Sequence, residues 1–245
     1  MKLNSMLFGA AALLAAISSV SAAPLPQSVL GTDKAVVISN ENLKVLTGGG
    51  FGGTLEGLDT YFWCADWENY IAGPPDSYKA NVVALGDWTA TEKSEVRKGT
   101  NTNWAVSSPT LSALQRYQVA AYLLSQMTTF QTSTKQTTNP TKATDEDLQR
   151  SIWKILNLGL PSNASPAVLN PAPLNAAIAY VQSHADYGFG SWAVVSGVSS
   201  GGRLSGTKKQ TFLVQIEATQ VPEPGTYALM GLGLGALAML RKRKA

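Results

Sequence analysis

Thr144-Asp145-Glu146-Asp147-Leu148-Gln149-Arg150-Ser151-Ile152-Trp153-Lys154-Ile155-Leu156 is the stretch on which the fold reading turns. Leu148, Ile152 and Ile155 recur at steps of three and four, so they line one helical face, with Trp153 and Leu156 beside it. Thr144 and Asp147 stand at capping-box spacing, and Asp145 and Glu146 put negative charge at the positive end of the helix dipole. Gly159 and Pro161 end the pattern. This is a helix set into a chain whose other segments read mostly as strands.

Upstream, Ser108-Pro109 predicts the opening of another helix, with proline in its first turn. Leu111, Leu114, Tyr117, Ala121 and Leu124 give that helix one apolar face. The Thr/Gln-rich stretch from Thr128 to Thr141 reads as a polar loop. Downstream, a third helix is expected from Leu174 to His184. Short β-like runs lie at Val36–Ile38, Leu43–Leu46, Val82–Leu85, Trp104–Val106, Ser191–Val195 and Thr211–Glu217. Gly48-Gly49-Gly50-Phe51-Gly52-Gly53 reads as a flexible loop. No Gly-Lys-Ser/Thr ends it, so it is not a phosphate loop. These patterns predict an α+β fold: one strand-rich domain, sandwich-like or barrel-like, with two or three helices packed on the strands.

The chain ends read as processing signals. Lys2, the apolar run Leu7–Ile17 and Val20-Ser21-Ala22 form a secretory signal peptide over residues 1–22. Residues 23–220 are then the extracellular domain, long enough for one core. Residues 221–245 combine Pro222-Glu223-Pro224, an apolar run from Tyr227 to Leu240, and Arg241-Lys242-Arg243-Lys244. That run is expected to form a hydrophobic helix holding the chain in the membrane before processing, its cations on the cytoplasmic side. Setting aside Lys2 and those four cations leaves 14 Lys and Arg against the chain's 16 Asp and Glu. The formal charge of +3 is therefore no nucleic-acid footprint, and no nucleic-acid partner is expected.

The tail resembles the PEP-CTERM sorting signal of Gram-negative bacteria, on Pro222-Glu223-Pro224, the spacing to the apolar run and the basic end. The resemblance implies recognition by an exosortase, removal of the tail, and delivery to the cell surface or the exopolysaccharide matrix.

Cys64 is the sole cysteine, so no internal disulfide can form. A thiol in an oxidising compartment is a liability unless buried, paired between chains or used. Gln149 lies at the edge of the helix's apolar face, where an amide needs partners. Phe62-Trp63-Cys64-Ala65-Asp66 together with Leu148-Gln149-Arg150-Ser151-Ile152-Trp153 resembles the thioester domains of bacterial surface adhesins. Those carry an aromatic-flanked Cys-x-Asp and a downstream Gln-x-x-Ile-Trp. The resemblance implies a bond between Cys64 and Gln149, with Asp66 orienting and Trp153 packing beside it. It further implies single-use covalent attachment to a nucleophile on a surface polysaccharide or protein, not turnover.

Other chemistries have less behind them. His184 is the sole histidine, which excludes multi-histidine zinc sites, and no nucleophile elbow accompanies it. It reads as a helix-end residue favoured by the dipole. Asp66, Glu68, Asp76 and Asp87 could supply a glycosidase carboxylate pair. Trp63, Trp67 and Trp88 could stack on sugars. The alternatives are thus a non-reactive structural or carbohydrate-binding matrix protein with a buried thiol, and a glycan-active enzyme. No metal or cofactor is expected.

Overall fold

Six antiparallel strands close into a barrel in the order β1-β2-β3-β6-β5-β4. They are β1 (Gly31–Asn40), β2 (Gly50–Leu55), β3 (Leu58–Cys64), β4 (Asp76–Ala84), β5 (Trp192–Val198) and β6 (Phe212–Gln215). Helices α1 (Ala90–Glu95), α2 (Ala113–Ser125), α3 (Lys142–Leu156) and α4 (Ala172–Ser183) all lie in the connection between the paired strands β4 and β5. This computed structural model describes residues 23–40, 50–66, 75–86, 88–107, 109–127, 142–157, 170–184, 189–199, 204 and 209–218. The expected strand-rich α+β fold forms; of the two arrangements left open, sandwich-like and barrel-like, it is the barrel, and among the described residues four helices accompany it where two or three were expected.

Strand alternation sorts the apolar side chains into two cores. Val36, Ile38, Leu55, Phe62, Val82, Val195, Phe212 and Val214 fill the barrel. Their neighbours Trp63, Val83, Val194 and Leu213 point the other way and pack with α2, α3 and α4. Every residue of β5 is buried. Its near-continuous apolar run is therefore the signature of a strand covered on both faces.

Two local features of β2 explain why particular residues sit where they do. β2 and β3 are joined by Glu56-Gly57, both at positive φ (53° and 79°), as a tight two-residue hairpin requires. At Gly53 a Cβ would lie 2.1 Å from the Val37 oxygen, so only glycine lets β2 approach β1 there. Next to it, the β1–β2 register shifts between Ile38 and Asn40. The glycine-rich loop expected over Gly48–Gly53 is thus corrected: Gly50–Gly53 is strand, while Gly48 and Gly49 lie outside the described residues.

Other boundaries shift too. α2 starts at a capping box, Ser112 with Gln115, which out-competes Ser108-Pro109 as the start because both orphan N–H groups find partners. Ser108 itself lies outside the described residues. α3 begins at Lys142, two residues ahead of the expected Thr144, and α4 begins after Pro171. Trp104–Val106 is not one of the six strands; Ala105 N–H instead donates to Asn157 O at 3.0 Å, beyond the end of α3. The expected strand at Leu43–Leu46, the loop Thr128–Thr141 and the Gly159–Pro161 stop lie outside the described residues; α3 ends at Leu156.

The N-terminal segment is clamped beside the last strand. Leu25 forms a parallel bridge with Ile216. Leu25 N–H donates to Gln215 O at 3.1 Å, and Glu217 N–H donates to Leu25 O at 2.7 Å.

Candidate functional site at Cys64 and Gln149

Cys64 is the last residue of β3 and pairs with Phe212 of β6. Beyond it Ala65 N–H donates to Thr211 O at 2.9 Å, extending the ladder by one step before the chain turns away. Gln149 and Trp153 stand one helical turn apart on α3, so their side chains reach the same place. That place is the end of β3. Gln149 Nε2 donates to the backbone oxygen of Cys64 at 2.9 Å, and Trp153 Nε1 donates to Cys64 Sγ at 3.2 Å.

The structure thus brings together all four residues expected at the site. Cys64, Asp66 and Gln149 are each 1% exposed, and Trp153 is buried with them. Asp66 meets the sulfur through its backbone oxygen, which accepts from Cys64 Sγ at 3.5 Å. Its carboxylate lies 3.5 Å from Lys98 Nζ in a buried ion pair. Lys98 also donates to Leu156 O at 2.9 Å, at the end of α3. Asp66 therefore pins the turn after β3 to the helix that carries Gln149.

One participant escaped the sequence reading. Gln210, just ahead of β6, donates from Nε2 to Cys64 Sγ and to Asp66 O, the latter at 3.2 Å. Nothing in a lone glutamine before an apolar run announces this. Its place depends on β6 pairing with β3, nearly 150 residues earlier in the chain (|i−j| = 146). Lys98 was missed for the same reason.

The electrostatics are those of a dry pocket. Burial pushes the Cys64 thiol from its ordinary 9.0 up to about 12. The Trp153 hydrogen bond, the Asp66 backbone contact and the Lys98 charge pull it down, and the Asp66 charge adds to the rise. At neutral pH the sulfur is a protonated thiol that accepts from two N–H groups. Gln149 Oε1 is buried without a hydrogen-bond partner. An orphan acceptor of this kind costs roughly 1–3 kcal/mol. Flipping the amide would set its oxygen against the Cys64 oxygen, two acceptors facing each other, so the orientation is determined. Chemically, a nucleophile and an acyl carbon share one water-poor cluster, with the acyl oxygen unengaged.

The other candidates are accounted for separately. Trp63 is packed in the helix-side core, and Trp67, Glu68 and Asp87 lie outside the described residues. Asp76 pairs with Lys209. His184 stands at the C-cap of α4, as expected, with its ring stacked 4.1 Å from Tyr180. Ser151 is fully buried, and its hydroxyl donates back to Asp147 O at 2.7 Å. Among the described residues no three His, Cys, Asp or Glu side chains cluster as metal ligands.

Residues 220–244 match the PEP-CTERM protein-sorting motif. The motif marks a secreted protein that is processed by an exosortase at the membrane and exported. The match includes Pro222, Glu223 and Pro224. No curated protein and no solved structure matches the chain. Among the described residues no helix is long and apolar enough to cross a membrane. The expected signal peptide and the Tyr227–Leu240 run lie outside them.

Proposed function

We propose that this exported PEP-CTERM protein carries an internal Cys64–Gln149 thioester and uses it to attach covalently, at the cell surface or in the exopolysaccharide matrix, to a nucleophile on a surface polysaccharide or protein. The observation that carries this reading is the Gln149 carboxamide tied to the carbonyl of Cys64 while Trp153 holds the sulfur of the same residue. In the bond-forming step Cys64 Sγ attacks the Gln149 amide carbon. The C–N bond breaks, the thiol proton goes to the departing nitrogen, and ammonia leaves. Attack by a partner amine or hydroxyl would then join that partner to Gln149 and return the proton to Cys64. Burial keeps water from the acyl carbon. Trp153 and Gln210 supply N–H groups to a sulfur that becomes electron-rich as it is displaced. Such chemistry is used once per molecule.

Intact mass of the mature domain tests it. The expected mass is lower than the sequence mass by one ammonia, and methylamine converts it to an adduct located on the peptide carrying Gln149. An unshifted mass, with Cys64 alkylated fully on denaturation, overturns the reading. It would favour the alternative of a non-reactive matrix protein with a buried thiol. The raised affinity of Cys64 for its proton is the observation on that side.

A further inference from the structure

A second site lies away from Cys64, where α1, the segment after it and the start of α2 border an open cleft of about 580 Å³. That volume lies in the ~300–1,000 Å³ range of small-molecule sites. Its lining combines Trp88, Trp104, Asn101, Thr102, Lys93 and Arg116. Both indole N–H groups are already used inward: Trp88 Nε1 donates to Ala84 O at 2.7 Å and Trp104 Nε1 to Asn101 O at 3.0 Å. The tryptophans, 5% and 7% exposed, therefore offer the cleft a small area of ring carbon and no polar group, while Asn101 and Thr102 offer amide and hydroxyl groups.

Arg116 is the anomaly. It is 2% exposed, its Nε has no hydrogen-bond partner, and no carboxylate among the described residues pairs with it. Its guanidinium sits 4.8 Å over the Trp104 ring, and one nitrogen donates to Ile155 O at 3.3 Å. A cation–π contact and one carbonyl are a poor substitute for a counter-ion at a buried cation. Burial lowers its pKa to about 10, so it stays charged at neutral pH. A second cation, the exposed Lys93 of α1, also lines the cleft.

We infer that this cleft binds a carboxylate-bearing sugar, with the acid group on Arg116 and Lys93, the ring against Trp88 and Trp104, and the hydroxyls on Asn101 and Thr102. Aromatic carbon suits the apolar face of a pyranose, amide and hydroxyl groups suit its rim, and a planar guanidinium suits a carboxylate. This inference does not depend on the thioester, because none of its residues touches Cys64 or Gln149.

The test is an NMR titration of the mature domain with glucuronic acid, glucuronamide, glucose and inorganic phosphate, following the indole N–H signals of Trp88 and Trp104. Saturable shifts are expected with glucuronic acid, and binding of the two neutral sugars should be at least about tenfold weaker, the weight of one charge-assisted bond. Lys93→Gln, an exposed change that leaves the core intact, should weaken glucuronic acid and not glucose. Arg116→Lys should weaken it further, with the amide spectrum reporting that the domain is folded. Equal affinity for acid and neutral sugars, or no saturable shift with any sugar, overturns the proposal. Phosphate binding as tightly as glucuronic acid also overturns it, reducing the cleft to a simple anion site.

Discussion

At Cys64 the competing demands are visible in one atom. The sulfur is dry enough to hold its proton to about pH 12, yet it accepts N–H groups from Trp153 and Gln210. This gives a pH signature. An unfolded thiol titrates near 9.0 and the folded one near 12, so above pH 9 the native state keeps a proton that the unfolded state has lost. Stability from this group is complete below about pH 9 and falls as pH rises toward 12, by up to about 1.4 kcal/mol per pH unit. Tyr78 also titrates abnormally high, through burial, so the comparison must be with Cys64→Ser. Urea unfolding should lose stability between about pH 9 and pH 10 in the free-thiol protein and lose less in the serine variant. A chain with the thioester closed has no thiol to titrate, and its curve should follow the serine variant. The two glutamines are separable by mass. Gln149→Ala should abolish the ammonia loss. Gln210→Ala should keep it but slow its appearance by on the order of tenfold, the worth of one donor to developing charge. If the effects are exchanged, Gln210 is the acyl donor. Gln149 and Trp153 could be read from the sequence because a helix turn fixes their relation locally. Gln210 and Lys98 could not, since only strand pairing and the docking of α3 bring them in.

Among the elements, β2 shows where local propensity misleads. Three of its first four residues are glycine, and glycine ordinarily weakens a strand. Here the absent side chain at Gly53 is what allows contact with β1. Gly53→Ala must push against the Val37 oxygen, and should cost about 2 kcal/mol or more in urea unfolding, in the range of an overpacked core. Gly57→Ala meets open space and carries only the penalty of positive φ, about 1 kcal/mol. If both changes cost the same, backbone conformation and not close approach governs β2. The helices were legible because their apolar periodicity is local, whereas their first residues were not. At α2 the choice between two serines falls to Ser112, which has glutamine three residues on; Ser112→Ala should cost about 1 kcal/mol. Trp104–Val106 had the residue types of a strand, but only Trp104 forms a bridge and the ladder goes no further.

For the whole molecule, the barrel itself was the least legible feature. Closure rests on β1 meeting β4 and β3 meeting β6, pairings that no local pattern reports and that leave β3 and β4 apart although they are consecutive. The sorting tail, by contrast, is a contiguous motif and could be read directly. Replacing Pro222 and Pro224 with alanine should make the unprocessed chain accumulate with the cells, with a matching loss of exported protein by immunoblot. Unchanged delivery would show that the motif is not what routes this chain. The Leu25–Ile216 bridge has one more consequence. It brings residue 23, where the mature chain is expected to start, and residue 218, which leads toward the tail, to the same pole of the barrel. Cys64 faces Phe212 at the opposite end of β6, and at about 3.3 Å per residue the four steps from Phe212 to Ile216 span roughly 13 Å. A molecule moored by either terminus would therefore turn the Cys64 end of the barrel away from its mooring, like a grapnel on a short line.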